Sequence, residues 1–412
     1  MSPITHRIFI SIDSIPMPNR IYLDHAATTP VRAEVRAAML PFLGEDAFGN
    51  PSSAHGFGRA ARAAVEHARA QVARALGAEP AQVYFTSGGT EADNLAVLGA
   101  ALARRNDRHS LAAAHLVSSP TEHKAVLAAV HEAEAQGARA TLLPVDGDGV
   151  VDLAALEDAL AEHHRPTLVS LMWVNNEVGT VQPVAEIAKR CAAASVPFHT
   201  DAVQAFGKVA IDLRTFPWSA VSLSAHKIGG PKGIGALVVK DPALFRGIIH
   251  GGSQQSGLRP GTENVPGIIG FGEAAVLAAD EQAATAIAWA AMRDALQRAI
   301  LERVSDTVVH GTGATRGPNI LSVSAPGTDS ETMLMHLDLA GIAASSGSAC
   351  LTGTVEPSHV LAAMGVPRDL AAAAVRFSFG SLSAPEQVPQ VADAYARVVA
   401  KVRQLRQVLS RS

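Results

Sequence analysis

The sequence has few cysteines, no excess of one charge and no long apolar run. Its two cysteines, Cys191 and Cys350, are too few for a disulfide framework and, without other ligands, for a zinc or iron–sulfur site, so no metal is expected. Any thiol chemistry must therefore rest on one residue. The 34 Lys and Arg residues against 38 Asp and Glu residues give a formal net charge of −4. Such a balance offers no broad cationic surface, so nucleic acid is not an expected partner.

Membrane insertion and secretion are not expected either. The sequence contains no run of about 20 apolar residues, which is the length that spans a bilayer. Residues 1–18 contain one Arg and have neither the long apolar segment nor the small-residue cleavage site of a signal peptide. We therefore expect a soluble, cytoplasmic protein that does not contact a membrane.

What the sequence does contain is an alternation of strand and helix patterns. The length of 412 residues predicts two or three structural units, and 48% hydrophobic with 17% charged residues is typical of globular proteins. Over residues 30–240, short β-rich runs alternate with stretches of helical periodicity, which predicts an α/β fold with a mainly parallel sheet. The predicted strands are 82–86, 115–118, 140–145, 167–173, 197–200, 221–224 and 235–239.

The helical periodicity is clearest over residues 59–76, where Val65, Ala68, Val72 and Leu76 share one face. After residue 263 the pattern changes to long Ala-rich helices up to residue 303. A strand–helix–strand series and a terminal helix over 385–409 follow. These features predict a second, smaller α+β unit.

Two charged residues end two different predicted strands. Lys227 follows a buried strand and precedes a glycine-rich turn, although a surface lysine is the simpler interpretation. Asp201 ends another strand, where a helix N-cap is the alternative role. Ligands of open α/β sheets bind at the carboxyl ends of the strands, so both residues can point into one crevice. A cationic heteroaromatic cofactor with a covalent anchor requires such a pair.

Further polar residues follow other strands. Gly89 and Thr90 open a helix, whose free N–H groups and dipole favour a phosphate. His123 also opens a helix, and its ring could stack on a flat cofactor, although most histidines are ordinary surface or core residues. Asn176 could contact the cofactor or form a turn.

The two cysteines lie in different surroundings. Cys350 lies in a Gly- and Ser-rich stretch without periodicity, which predicts a loop exposed on one side. Cys191 lies on a helical pattern and is interpreted as a packing residue. Only Cys350 is a candidate for chemistry.

Taken together, these stretches resemble the cysteine desulfurases of the class V aminotransferase family, from residue 21 almost to the end of the chain. Nine motifs occur in order. They span residues 22–30, 49–55, 86–94, 121–124, 175–179, 224–227, 259–264, 346–350 and 376–378.

The resemblance implies pyridoxal 5'-phosphate as cofactor and L-cysteine as substrate, with L-alanine and a persulfide on Cys350 as products. It assigns Lys227 as the Schiff-base lysine and His123 to ring stacking and proton transfer, which makes His123 our candidate base for the Cys350 thiol. Asp201 would pair with the pyridinium nitrogen and Gln204 with the ring oxygen. The implied phosphate cradle consists of Gly89, Thr90, Ser224 and His226, and Thr262 of a partner subunit completes it. The implied substrate-holding residues are Arg376 and Asn176.

The resemblance also implies the PLP-dependent transferase fold type I and a homodimer. It divides the chain into a large cofactor-binding domain (37–284) and a small domain (1–36 and 285–412) that carries the catalytic cysteine loop. The loop resembles that of the branch that feeds iron–sulfur cluster assembly, so a scaffold protein or another sulfur acceptor is an expected partner. About sixteen residues precede Met17 relative to the family, which leaves Met1 or Met17 as the start.

Two other kinds of function stay open at this point. A selenocysteine lyase or a class V aminotransferase would share the cofactor residues and leave Cys350 without a role. A non-catalytic interaction protein with the same fold would not bind the cofactor.

Overall fold

A computed structural model describes residues 20–104, 110–161, 165–347 and 358–409. The strands are β1 (Ile21–Tyr22), β2 (Val83–Thr86), β3 (His115–Ser118), β4 (Arg139–Leu142), β5 (Leu168–Ser170), β6 (Phe198–Asp201), β7 (Ala220–Ser224), β8 (Gly235–Val239), β9 (Val308–Val309), β10 (Ile320–Ser324), β11 (Ile342–Ala343) and β12 (Ala374–Ser378). The helices are α1 (Ala33–Met39), α2 (Gly56–Leu76), α3 (Gly89–Ala103), α4 (Lys124–Ala135), α5 (Leu153–Ala161), α6 (Val184–Ala193), α7 (Val265–Arg303), α8 (Ser330–Leu339), α9 (His359–Ala363), α10 (Arg368–Ala372) and α11 (Gln387–Leu409).

The central sheet has seven strands in the order β2-β8-β7-β6-β5-β3-β4. Strands β7, β6, β5, β3 and β4 pair in parallel, and β8 runs antiparallel to both of its neighbours. Every residue of β5 to β8 is buried, as helices on both faces of such a sheet require. The predicted α/β fold with a mainly parallel seven-stranded sheet is confirmed, and each predicted strand falls on one of these seven.

Helix α2 shows how the sequence pattern produces this packing. Val65, Ala68, Val72 and Leu76 are buried in the core beneath the sheet, as their shared face predicts. The helix begins three residues before the predicted position 59, because the His55 side chain caps it by accepting the N–H of Gly58.

A second hydrophobic core lies between α11, α7, α8 and the sheet β12-β10-β9. Strand β1, at the start of the described chain, pairs in parallel with β11 and also contributes to this core. The predicted α+β unit is therefore built from both ends of the chain. The domain limits at 36/37 and 284/285 stay a prediction.

Helix α7 belongs to both cores. Its start buries Ile268 and Phe271 in the core beneath the central sheet, and its last third buries Leu296 and Ile300 in the second core. The prediction of several helices over 263–303 is wrong. One helix of 39 residues forms, because the only proline lies in its first turn, where no intrahelical N–H is lost.

Among the described residues, none of the helices combines the length and the apolar character that crossing a membrane requires.

Candidate active site

A cavity of about 330 Å³ opens at the carboxyl ends of β6 and β7. Polar residues that follow different strands meet there because parallel strands end at the same edge of a sheet. The residues named from the sequence that line it are Gly89, Thr90, His123, Asn176, Asp201, Gln204, Ser224, His226, Lys227 and Arg376.

Lys227 ends a short 3₁₀ turn directly after β7. Its Nζ donates hydrogen bonds to the carbonyl oxygens of Ala26 (2.6 Å) and Ala27 (2.8 Å). Burial, with the positive charge of Arg376 second, lowers the pKa of Lys227 to about 8, although the carboxylates of Asp201 and Asp24 act in the opposite direction. The amine therefore lies in the cavity, not in bulk solvent, and loses its proton more easily than an ordinary lysine.

Asp201 is the last residue of β6, and its side chain is 5% exposed. Its Oδ1 accepts the N–H of Val203 at 2.8 Å, and the chain continues in turns, so Asp201 does not cap a helix. Burial raises the pKa of Asp201, whereas the neighbouring His123 and Lys227 lower it. A cationic partner in the cavity would favour its ionised form.

Two further buried carboxyls surround Asp201. Burial, and then the charge of Asp201, raises the pKa of Asp93 well above its ordinary value. Burial also raises the pKa of Glu122 well above its ordinary value, although the N–H of Met172 donates to Glu122 Oε1 at 2.7 Å. Both shifts favour the neutral carboxyls, which would add no second negative charge beside Asp201. Asp93 was not named from the sequence, although it lies in the motif 86–94.

His123 is the N-cap of α4, and its Nδ1 accepts the N–H of Ala125 at 3.1 Å. Since Nδ1 is an acceptor, the proton of the neutral ring is on Nε2. Burial lowers the pKa of His123, with Asp201 acting in the opposite direction. The neutral form of the ring is therefore favoured.

Gly89 and Thr90 begin α3 on the other side of the cavity. A Cβ atom at Gly89 would lie 2.9 Å from Val203 Cγ2 and 3.5 Å from Ser224 Cβ, so only glycine leaves this end open. A neighbouring cavity of about 440 Å³ shares Gly89, Thr90, Ser224 and His226 and adds the cationic Lys232. The free N–H groups of a helix start, hydroxyls and a cation are the donors that a phosphate requires.

The side chains of Arg376 and Gln204 each form hydrogen bonds within the chain and each keep one polar atom without a partner among the described residues. Arg376 lies in β12, and its guanidinium donates to Asn176 O (2.7 Å) and Asp24 Oδ1 (2.8 Å). Gln204 Nε2 donates to Ala26 O at 2.8 Å. Arg376 Nε and Gln204 Oε1 are buried and have no partner among the described residues, so both side chains have capacity for a bound molecule.

Of the remaining predicted residues, Thr262 and Cys191 do not line this cavity. Thr262 is exposed in its own chain, and its predicted place in a partner's site is not tested by one subunit. Cys350 lies outside the described residues. Cys191 is fully buried, as predicted for a packing residue, and burial raises its pKa to about 12. The described part of the chain contains no group of three His, Cys, Asp or Glu residues that could hold a metal.

Sequence reasoning also missed the backbone carbonyls of Ala26 and Ala27, which hold the Lys227 amine, and the cavity-lining Ser345 and Gly347. The signal that could have found them is their position: Ala26 and Ala27 lie inside the motif 22–30, Gly347 lies inside the motif 346–350, and Ser345 directly precedes it.

Comparison with known proteins gives a consistent result. The family model described as aminotransferase class-V matches residues 21–391. The chain is 43% identical to "Cysteine desulfurase IscS" of Dictyoglomus turgidum over 94% of this chain and 96% of that protein, and 44% identical to "Cysteine desulfurase" of Sinorhizobium fredii over 95% and 99%. Among solved structures, a NifS-like protein matches with a TM-score of 0.84 at 35% identity, over 92% of this chain and 99% of that chain. The structure titled "SspA in complex with cysteine" matches with a TM-score of 0.74 at 33% identity, over 87% and 98%.

Proposed function

The chain belongs to the aminotransferase class-V family as a cysteine desulfurase, and from this premise we propose that it uses pyridoxal 5'-phosphate to take sulfur from L-cysteine. The products are L-alanine and a persulfide on Cys350. One observation carries the proposal: Lys227, Asp201 and a phosphate-sized cradle of donors line a single cavity.

The residues of the cavity fit this cofactor. Glycine at position 89 leaves room at a helix start for the phosphate, and the carboxyl of Asp201 matches a protonated ring nitrogen. Lys227 would hold the aldehyde carbon. Bound pyridoxal phosphate supplies an electron sink for the substrate's Cα–H electrons.

The pKa of Lys227 is lower than that of an ordinary lysine. At a pKa of about 8, roughly a tenth of the amine is neutral at pH 7, which is the form that attacks a carbonyl carbon. Asp201 would keep a proton on the ring nitrogen through charge pairing, and the raised pKa values of Asp93 and Glu122 favour neutral carboxyls beside it.

Arg376 and His123 act on the substrate. The guanidinium of Arg376 binds the substrate carboxylate, and the bond to Asn176 O fixes its orientation. The neutral His123 ring holds a proton on Nε2 and can exchange it within the cavity.

Cys350 receives the sulfur. With an ordinary pKa of about 8.5 only a few per cent of the thiol is thiolate at pH 7, so a base must take its proton, and His123 is our candidate. The thiolate forms an S–S bond to the substrate sulfur as the C–S bond breaks. The electron pair of that bond stays with carbon, which takes up a proton to give L-alanine.

We further propose a homodimer in which Thr262 of the partner subunit completes the phosphate site. The second cavity, which opens beside Gly89 and Lys232, is the space that such a residue would enter. We also propose that the sulfur passes to an acceptor or an iron–sulfur scaffold protein in the cytoplasm, as the resemblance of the loop to its branch of the family implies.

The test is product analysis with Cys350→Ala. Purified protein should be yellow and should release equal amounts of alanine and sulfide from cysteine in the presence of a thiol. Cys350→Ala should keep the colour and lose sulfide release, and Cys191→Ala, the matched control, should keep both. Unchanged sulfide release in Cys350→Ala would remove Cys350 from the mechanism. Amino-group transfer to a keto acid would instead identify an aminotransferase, and strong preference for selenocysteine a lyase.

A further inference from the structure

Lys208 is a second lysine that is buried beside Lys227. It belongs to the turns that follow Asp201: its N–H donates to Ala205 O at 2.9 Å, and the N–H of Ala205 donates to Ala202 O at 3.0 Å. Lys208 is only 4% exposed. A buried amine costs stability, and an apolar side chain of similar volume in the place of a buried charge is often neutral or stabilising. The burial of Lys208 therefore points to a role beyond stability.

The amine of Lys208 joins these turns to the turn that carries Lys227. Its Nζ donates to Lys227 O at 3.2 Å and to Phe206 O at 3.5 Å. From the other side, Gln282 of α7 donates its Nε2 to Lys208 O at 3.0 Å. Lys208 is therefore held by its own turn and by α7, and its side chain connects the segment after Asp201 with the backbone of Lys227.

The turn that carries Lys227 is held at two neighbouring carbonyl groups. His226 O accepts the N–H of Thr29 at 2.9 Å and the Thr29 hydroxyl at 2.8 Å, and Thr29 Oγ1 accepts the N–H of Gly229 at 2.8 Å. The next carbonyl, that of Lys227, accepts from Lys208 Nζ. Because the position of a side chain depends on the backbone that carries it, these bonds help to fix where the Lys227 amine enters the cavity.

The two amines also compete for positive charge. Burial, and then the charge of Lys227, lowers the pKa of Lys208 to about 7, below the pKa of about 8 of Lys227. Lys208 therefore loses its proton first as the pH rises. Because this coupling is reciprocal, a charge that stayed on residue 208 at every pH would lower the pKa of Lys227. Conversely, bonding of the Lys227 amine to an aldehyde would favour the ammonium form of Lys208, which is the stronger donor.

The other titratable groups near Lys208 do not replace Lys227 in this coupling. Burial, with nearby positive charges second, lowers the pKa of His25 and of His226 to about 4, so both rings are neutral near pH 7. Glu281 lines the same cavity of about 900 Å³ as Lys208, but its carboxylate pairs with Arg32 Nη1 at 2.6 Å. Lys227 is the neighbouring charge that shifts the pKa of Lys208.

We propose that Lys208 is a positioning residue for Lys227, because its buried amine binds the Lys227 carbonyl and fixes it against the turns that follow Asp201. The proposal rests on the proposed role of Lys227 as the lysine that holds the cofactor. Lys208 touches neither substrate nor cofactor in this proposal. It acts through its hydrogen bond to the Lys227 backbone and through its charge.

The experiment uses the full-length protein and two variants. Lys208→Met removes both the donor and the charge, and Lys208→Arg keeps both, since the cavity of about 900 Å³ beside residue 208 has room for the longer side chain. Four properties are measured: the affinity for pyridoxal phosphate by fluorescence titration, kcat and KM for alanine formation, the free energy of unfolding of the apoprotein in urea, and the pH midpoint at which acetic anhydride labels Lys227 in the apoprotein. The control is Lys401→Met, which replaces an exposed lysine of α11.

Lys208→Met should weaken pyridoxal phosphate binding and lower kcat, each by about tenfold, because the Lys227 carbonyl loses a hydrogen bond from a charged donor. KM should change little, because Lys208 does not touch the substrate. The free energy of unfolding of the apoprotein should stay the same or rise, because a buried amine is removed. A merely structural lysine would instead lower it.

The labelling of Lys227 separates the effect of the charge from that of the hydrogen bond. Lys208→Arg should restore most of the cofactor affinity. It should also move the Lys227 midpoint below pH 8, since arginine keeps its charge throughout the titration. Lys208→Met should leave the midpoint near pH 8, because Lys208 of the wild type has already lost its proton when Lys227 titrates.

Three outcomes would overturn the proposal: an unchanged cofactor affinity in Lys208→Met, a free energy of unfolding of its apoprotein below that of the wild type, or a Lys227 midpoint in Lys208→Arg no lower than in Lys208→Met. Failure of Lys208→Met to fold counts as the second of these, and tenfold weaker binding in Lys401→Met would also contradict the proposal. If the wild type forms no alanine from cysteine but binds pyridoxal phosphate about tenfold more tightly than Lys208→Met, the desulfurase proposal fails and the positioning role stands.

Discussion

The titration of Lys227 gives a direct test of the site. Burial and Arg376 lower its pKa from the ordinary 10.5 to about 8. A shift of about 2.5 units raises the neutral fraction of the amine at pH 7 from about 0.03% to about 9%, or roughly 300-fold. The apoprotein should therefore react with an acylating reagent at Lys227 with a midpoint near pH 8.

The assay is competitive labelling of the apoprotein with trace acetic anhydride between pH 6 and pH 11. Mass spectrometry then compares the modified Lys227 peptide with that of Lys240, an exposed lysine of the same chain that serves as internal reference. Restricted access lowers the rate at Lys227 by the same factor at every pH, so the midpoint reports the ionisation alone.

Variants give the sign of each electrostatic contribution. Arg376→Gln removes a positive charge and should raise the pKa of Lys227, and Asp24→Asn removes a negative charge and should lower it. Arg403→Gln is the control, because it breaks an ion pair of similar length, with Asp306, at the protein surface away from the cavity. A wild-type midpoint near 10.5, or shifts of the same sign in both cavity variants, would refute this account of the site.

Three further predictions concern other parts of the fold. A Cβ at Gly235 would lie 2.7 Å from the backbone of Gly88, so Gly235→Ala should weaken pyridoxal phosphate binding on the order of tenfold in a fluorescence titration. The control Gly44→Ala should leave binding unchanged, because a Cβ at Gly44 meets no atom within 4 Å. Cys191 should resist alkylation at pH 8 until the protein unfolds, and modification of the native protein would contradict its burial. Burial lowers the pKa of His199 from 6.5 to about 3. Between pH 6.5 and pH 3 the unfolded chain therefore binds a proton on this ring that the folded protein does not bind, so the free energy of unfolding should fall as the pH drops through this range. In urea unfolding, the difference between the free energies of unfolding at pH 7 and pH 5 should be smaller for His199→Asn than for the wild type. An equal difference in the two proteins would contradict the role of this ring.

The sequence predicts the central sheet well because its strands, except the edge strand β4, are buried on both faces and read as short apolar runs between turns. Periodicity does not show where one long helix replaces several. The run up to residue 303 has helical character throughout, and its continuity depends on the absence of a proline after Pro266 in the first turn.

The polar side chains of the cavity could be named from the sequence because they follow strand ends and carry recognisable chemistry. The hydrogen bonds from Lys227 to the carbonyls of Ala26 and Ala27 could not, since alanine gives no chemical signal and about 200 residues separate the partners. Likewise, the raised pKa of Asp93 depends on burial, which only the assembled fold provides.

The pairing of β1 with β11 bears on biosynthesis. Ile21 is synthesised early, but its strand partner Ile342, and Ser378, which forms a bridge with Asp24, are synthesised more than 300 residues later. Strand β1 and Asp24 therefore lack these partners until most of the polypeptide has left the ribosome. The carbonyls that accept from the Lys227 amine lie just after β1. A chain terminated before residue 342 would hold them only through contacts such as that of Gln204 Nε2 with Ala26 O, so it should bind the coenzyme more weakly than the complete chain.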